Sequence, residues 1–124
     1  KGKAISLEEG ELYHKNVVNL YPEELKPYID FKHSPVGEQS YGDYIGRFYR
    51  ERPNEDYDMV FVDGPVLPKT YDYFDADYYQ LLQKSDKMII GLIDGRLGTR
   101  DILRKLLPNA EFNYTYHDTE IIPK

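Results

Sequence analysis

Three acidic residues follow short apolar runs: Glu8 after Ala4 to Leu7, Asp63 after Met59 to Val62, and Asp94 after Met88 to Ile93. Such a carboxylate stands at the end of a buried strand, and open α/β sheets bind ligands beyond the carboxyl ends of their strands. An ionised carboxylate only accepts hydrogen bonds and can hold two donors, which suits the paired hydroxyls of a ribose. Glu8 fits that role. It equally fits a plainer one, in which Glu8, Glu9 and Glu11 complement the dipole of the helix they open.

A ribose-binding acid lies about 20 residues after a glycine-rich turn. Only seven residues precede Glu8. If Glu8 holds a ribose, its glycine-rich turn is expected upstream of Lys1, and the chain reads as an excised or truncated piece.

Asp63-Gly64-Pro65 and Asp94-Gly95-Arg96 form a second constellation, two strand-Asp-Gly units with the spacing of a βαβ unit. Neighbouring strands lie about 4.8 Å apart. Two carboxylates that close need a cation between them to stay ionised cheaply. Mg²⁺ held by Asp63 and Asp94 is one candidate, keeping several of its waters, and Arg96 is another that needs no metal. Asp-Gly is also ordinary turn chemistry after a strand, and spacing leaves the three readings open. His14, His33 and His117 show no metal-ligand spacing, and only His33, beside Ser34-Pro35, falls near a ligand edge. Nucleophile-elbow, P-loop and HExxH patterns are absent from the sequence, so hydrolase and NTPase readings lack support.

Positioning these acids requires buried strands joined by helical crossovers, because parallel strands covered on both faces read as continuous apolar runs. Tyr13, Val17, Leu20 and Tyr21 share one helical face, and Pro22 stops that helix or opens a short second one at Glu23 to Tyr28. Phe31 to Val36 is a weaker strand candidate. Tyr41, Tyr44, Ile45, Phe48 and Tyr49 repeat helical spacing and predict a helix closed by Arg52-Pro53-Asn54. Further helices are expected over Tyr73 to Gln83 and over Arg100 to Leu107, the latter with Thr99 as N-cap. Phe112, Tyr114 and Tyr116 alternate with polar residues as a strand does. Most of the 13 tyrosines sit at inward helical spacing as core, including Tyr13, Tyr21, Tyr44, Tyr49 and Tyr78. Tyr71, Tyr73, Phe74 and Tyr79 are candidates for the wall of an acceptor pocket.

The chain of 124 residues suffices for one domain, residues 1–124. Its 16 Lys and Arg against 22 Asp and Glu leave a net charge of −6, which removes the attraction to phosphate backbones that nucleic-acid binders use. The apolar runs are far too short to span a bilayer, so no membrane partner is expected. Without cysteine the chain has no disulfide or thiolate chemistry, which fits a reducing, cytoplasmic setting.

Ala4-Ile5-Ser6-Leu7-Glu8, Tyr57-Asp58-Met59-Val60-Phe61-Val62-Asp63-Gly64-Pro65 and Lys87-Met88-Ile89-Ile90-Gly91-Leu92-Ile93-Asp94 resemble the second, fourth and fifth strand motifs of class I S-adenosylmethionine-dependent methyltransferases. The resemblance implies a Rossmann-like three-layer α/β/α fold with a mostly parallel sheet, lacking its first strand and glycine-rich loop. It implies cofactor contacts from Glu8 (ribose), Ser34 (adenine side), Asp63 and Gly64. Asp63 then also faces the acceptor as the catalytic residue. In the metal-dependent members an Asp-Asn pair follows the fifth strand; here Gly95 stands in place of the Asn after Asp94.

The missing first strand is central in that family's sheet, so the strands carrying Glu8 and Asp63 are expected to flank a gap. The expected function is therefore methyl transfer from S-adenosylmethionine to a hydroxyl of a small-molecule acceptor, by a parent protein of which this piece alone is inactive. The alternative is a non-catalytic module that binds a nucleotide-like ligand, a cation or a protein partner. A nucleotide-sugar enzyme is a third reading.

Overall fold

The computed structural model describes residues 2–70, 72–115 and 117–123. β1 (Ala4–Glu8) leads into α1 (Glu11–Leu20), a 3₁₀ helix over Glu23–Tyr28, and β2 (Ile29–His33). β3 (Val36–Tyr41), β4 (Tyr44–Tyr49), β5 (Met59–Val62) and β6 (Tyr73–Asp75) follow. The chain ends with α2 (Asp77–Lys84), β7 (Ile90–Asp94), α3 (Leu97–Leu106), β8 (Glu111–Tyr114) and β9 (Asp118–Ile122).

The three-layer Rossmann-like expectation is corrected here. Among the described residues nine strands form three sheets rather than one: β1-β2, β3-β4-β6 and β5-β7-β9-β8. The pairs β1/β2, β4/β6 and β5/β7 are parallel, whereas β3/β4, β7/β9 and β8/β9 are antiparallel. The fold is a small mixed α/β domain.

The largest local departure is at residues 41–49, expected as a helix and found in a hairpin. Tyr41 pairs with Tyr44, leaving Gly42-Asp43 as a two-residue turn with Gly42 at φ +63°. Tight hairpin turns demand positive φ at the first central position, which glycine supplies without strain. The flanking Tyr, Ile and Phe residues favour strands, and the pairs four apart in this set, Tyr41/Ile45, Tyr44/Phe48 and Ile45/Tyr49, share a face in a strand as well as in a helix. Gly46 fixes the packing, since a Cβ there would lie 2.5 Å from Ala76 Cβ.

The expected helix over Tyr73 to Gln83 splits for a related reason. Tyr73–Asp75 pairs with β4, and the helix starts only at Asp77. Thr99 lies inside α3 rather than capping it; Arg96 holds the N-cap position. Tyr71 and Tyr116 lie outside the described residues.

The core gathers β5, β6, β7, α2, α3 and β9 through Val62, Phe74, Tyr78, Ile93, Leu103 and Ile121, all buried. Tyr78 is inward as its spacing predicts, and its hydroxyl donates to Ile89 O at 2.7 Å. α1 differs: none of its residues is buried, and Tyr13, expected in the core, is exposed. β5 is two-faced. Val60 and Val62 pack toward the core, while Met59 and Phe61 on the opposite face are 54% and 57% exposed.

Candidate functional site

Glu8 ends β1 and Asp63 follows β5, so the two acids belong to different sheets. Both nevertheless line one cavity of about 990 Å³. Its walls include every residue of Ala4–Glu8 and every residue from Tyr57 to Gly64, with Tyr13, His14 and Val17 contributed by α1.

Its carboxyl-end mouth is built by short-range ties. Glu8 Oε1 accepts the Gly10 N–H at 3.0 Å, which steadies the turn into α1. Glu9 Oε1 reaches across to accept the Val66 N–H at 2.7 Å, joining the end of β1 to the turn after β5. His33 Nε2 sits 2.9 Å from Glu9 O, and its ring centroid lies 6.4 Å from that of His14. The two ends also converge on Tyr49. A Cβ on Gly64 would lie 2.5 Å from the Tyr49 hydroxyl, so glycine is what lets the turn close on the ring. Burial raises the Tyr49 hydroxyl above its ordinary pKa, reinforced by the negative charges of Glu8, Asp77 and Glu9.

Asp63 is held by its neighbours rather than by burial. Arg96 Nη2 donates to Asp63 O at 3.0 Å, and Arg96 Nε lies 3.9 Å from Asp63 Oδ1. Arg96 Nη1 also donates to Pro65 O at 3.1 Å and to both oxygens of Asp75, at 3.0 and 2.8 Å. One guanidinium therefore clasps the Asp63-Gly64-Pro65 turn onto β6. Its backbone adopts the left-handed region (φ 43°, ψ 57°), which costs a residue with a side chain about 1–2 kcal/mol.

Asp75, wholly buried, accepts a further hydrogen bond from Thr99 Oγ1 at 2.8 Å. Desolvation pushes its carboxyl up to about 6, against the opposing pull of Arg96 and Thr99. Sequence reasoning passed over Asp75 as part of a helix. The signal was present, since Tyr73-Phe74-Asp75 repeats the apolar-run-then-acid pattern in miniature.

Arg96 thus stands beside Asp63 as the metal-free reading required, but its second carboxylate is Asp75 rather than Asp94. Asp94 ends β7 and pairs in register with Asp118 of β9. Among the described residues no group of three or more His, Asp or Glu side chains could hold a metal ion. Beside Asp63 stands the Arg96 guanidinium, with Nε 3.9 Å from Oδ1.

Ser34 is buried away from the cavity. Its hydroxyl accepts the Glu51 N–H and donates to Pro35 O, both at 3.0 Å, and its own N–H donates to Glu8 O at 2.9 Å. Phe74 and Tyr79 join Tyr41 in an edge-to-face aromatic cluster and belong to the core side of the fold. Asp77, at the start of α2, lines the cavity and is paired with Arg52 at 2.5 Å. Burial raises its carboxyl above the ordinary range, with Arg52 opposing.

Comparison with protein-family profiles, with curated proteins and with solved structures yields no match to this chain.

Proposed function

We propose that this chain carries the acidic half of an S-adenosylmethionine site, serving methyl transfer to a hydroxyl of a small-molecule acceptor. The observation that carries the reading is the convergence of Glu8 and Asp63, from separate sheets, on one cavity. The volume suits a nucleoside-sized ligand. The carboxylates at its mouth also suit a ligand that bears a sulfonium and an ammonium group.

When bound, S-adenosylmethionine supplies a methyl group already activated for in-line displacement. The protein's share is then positioning and exclusion of water. Glu8 accepts hydrogen bonds from the ribose hydroxyls. Asp63, fixed by Arg96, would orient the acceptor hydroxyl and take its proton as the oxygen bonds to the methyl carbon and the methyl–sulfur bond breaks, with S-adenosylhomocysteine as the leaving group. Turnover is expected of a chain that also supplies a glycine-rich loop. A cytoplasmic setting fits the absence of cysteine, and no helix among the described residues is long and apolar enough to cross a membrane.

The Glu8–Gly10 hydrogen bond favours a second reading, in which Glu8 is a turn-capping acid and the chain is a non-catalytic binding module. Equilibrium titration separates the two. The methyltransferase reading expects S-adenosylmethionine to bind, S-adenosylhomocysteine to compete for the same site, and Glu8→Gln to weaken both by about tenfold, the loss of one charge-assisted hydrogen-bond pair. Unchanged affinity in Glu8→Gln, or no competition, overturns it.

A further inference from the structure

A second cavity, of about 400 Å³, lies between the β3–β4 hairpin and α2. Side chains alternate between the two faces of a strand, and the pairing of Gly37 with Phe48 puts Gln39, Tyr41 and Phe48 on one face of the hairpin. That face is the cavity floor, continued by Arg50 just past β4; Gln80, Gln83 and Lys84 of α2 form a wall, and Arg52 closes one side. Tyr49 and Arg52 border the larger cavity as well.

Two glycines seat this floor. A Cβ on Gly37 would lie 2.9 Å from Arg50 Nε and 3.1 Å from Phe48 Cζ, so the Arg50 side chain lies across β3 beside the Phe48 ring. A Cβ on Gly46 would lie 2.7 Å from Tyr41 Cε2, which sets the Tyr41 ring two positions along the same face. Gln80 then joins floor to wall, its Nε2 donating to the Tyr41 hydroxyl at 2.8 Å and its Oε1 accepting from Arg52 Nη1 at 2.9 Å. Lys84 stands one helical turn beyond Gln80 on the same side of α2.

The charges here reverse the sign of the chain. Among the described residues no Asp or Glu lines this cavity. Arg52 is compensated by Asp77 at 2.5 Å, and Glu38, on the other face of β3, lies 3.4 Å from Arg47. Arg50 and Lys84 have no acid partner among the described residues; the one bond of Arg50 is a long one, 3.4 Å, to the neutral Val36 carbonyl. On a chain of net charge −6, two uncompensated cations border one acid-free cavity.

We propose that this cavity binds a small phosphate monoester that carries an aromatic ring. The phosphate lies between Arg50 and Lys84, whose two charges match its own and whose donors reach it from two sides. The amides of Gln39 and Gln83 flank it, and the ring lies against Phe48 and Tyr41. The volume admits one small molecule, and the net charge opposes a phosphate polymer. This inference is independent of S-adenosylmethionine, which bears no phosphate.

The test is calorimetric titration of the whole chain with phenyl phosphate at about pH 8, where the ester is doubly charged, with amide shifts mapped in parallel. Saturable binding is expected with a Kd below about 1 mM, and shifts at Gln39, Phe48, Arg50 and Lys84. Phenyl sulfate has the same shape with one charge fewer, and inorganic phosphate lacks the ring; each is expected to bind at least about tenfold more weakly. Arg50→Gln and Lys84→Gln should each weaken phenyl phosphate about tenfold, whereas Lys32→Gln, exposed on β2 outside the cavity, should leave it unchanged. The proposal is overturned by absence of saturable binding, by equal affinity for phenyl sulfate or inorganic phosphate, or by an equal loss in Lys32→Gln. Shifts that fall at Glu8 and Asp63 instead overturn it too.

Discussion

Arg96 donates to both carboxylate oxygens of Asp75, at 3.0 and 2.8 Å, from a backbone held in the left-handed region. The pair joins the start of α3 to the end of β6, and the same guanidinium holds the turn that presents Asp63. Removing Arg96 leaves a buried carboxylate without its cation, a change that costs about 3–5 kcal/mol. Arg96→Gly and Arg96→Ala lose the side chain equally, but only glycine relieves the left-handed backbone, so Gly should be the more stable by about 1 kcal/mol. Urea unfolding of the two variants measures the difference; equal stability would mean that the backbone strain is not real.

Asp75 makes stability depend on pH. Its folded-state pKa is raised from 3.8 to about 6, so the native state holds the proton more tightly than the unfolded chain. That contribution is fully present below pH 3.8 and is lost as pH rises through about 6. Asp77 is shifted in the same direction. The stability difference between the wild type and Asp75→Asn should therefore shift against the wild type between pH 4 and 6, by on the order of 2 kcal/mol. Denaturant unfolding of both proteins at several pH values checks this, and a flat difference contradicts it.

Gly64 and Tyr49 should be coupled. Gly64→Ala places a methyl group 2.5 Å from the Tyr49 hydroxyl and is expected to destabilise by about 1–3 kcal/mol. Adding Tyr49→Phe removes the clashing oxygen and should recover part of that loss. A double-mutant cycle by thermal unfolding reads the coupling, and strict additivity would contradict the contact.

Tyr78 anchors the core through a polar tip. Tyr78→Phe strips the buried Ile89 carbonyl of its donor at 2.7 Å and should cost about 1–3 kcal/mol, measured by urea unfolding. Gly91 beneath the ring admits nothing larger, because a Cβ there would lie 2.7 Å from the Tyr78 ring.

What the sequence made legible was local. Met59–Val62 is found as the strand that its apolar run predicts, Ala4 to Leu7 extends by one residue to include Glu8, and Glu23–Tyr28 forms the short helix that Pro22 opens. Sheet membership was not legible. The set Tyr41, Tyr44, Ile45, Phe48, Tyr49 satisfies a helical face, and only the Gly42-Asp43 turn and the close seat of Gly46 on Ala76 decide for a hairpin. The acids divide in the same way. Glu8 and Asp63 were visible because each ends a long enough run, whereas Asp75 is the last residue of a strand of only three. Its significance comes from burial and from an arginine 21 positions away, which no local pattern encodes.

The central claim is that Glu8 and Asp63 present one ligand site at the carboxyl ends of β1 and β5. Mapping amide chemical shifts as S-adenosylmethionine is added to the ¹⁵N-labelled chain tests it most directly. Saturable shifts are expected at Glu8, Glu9, Asp63 and Gly64, with a midpoint that Glu8→Gln moves about tenfold higher at all four together. Absence of shifts at these residues, or shifts elsewhere that Glu8→Gln leaves untouched, would contradict it.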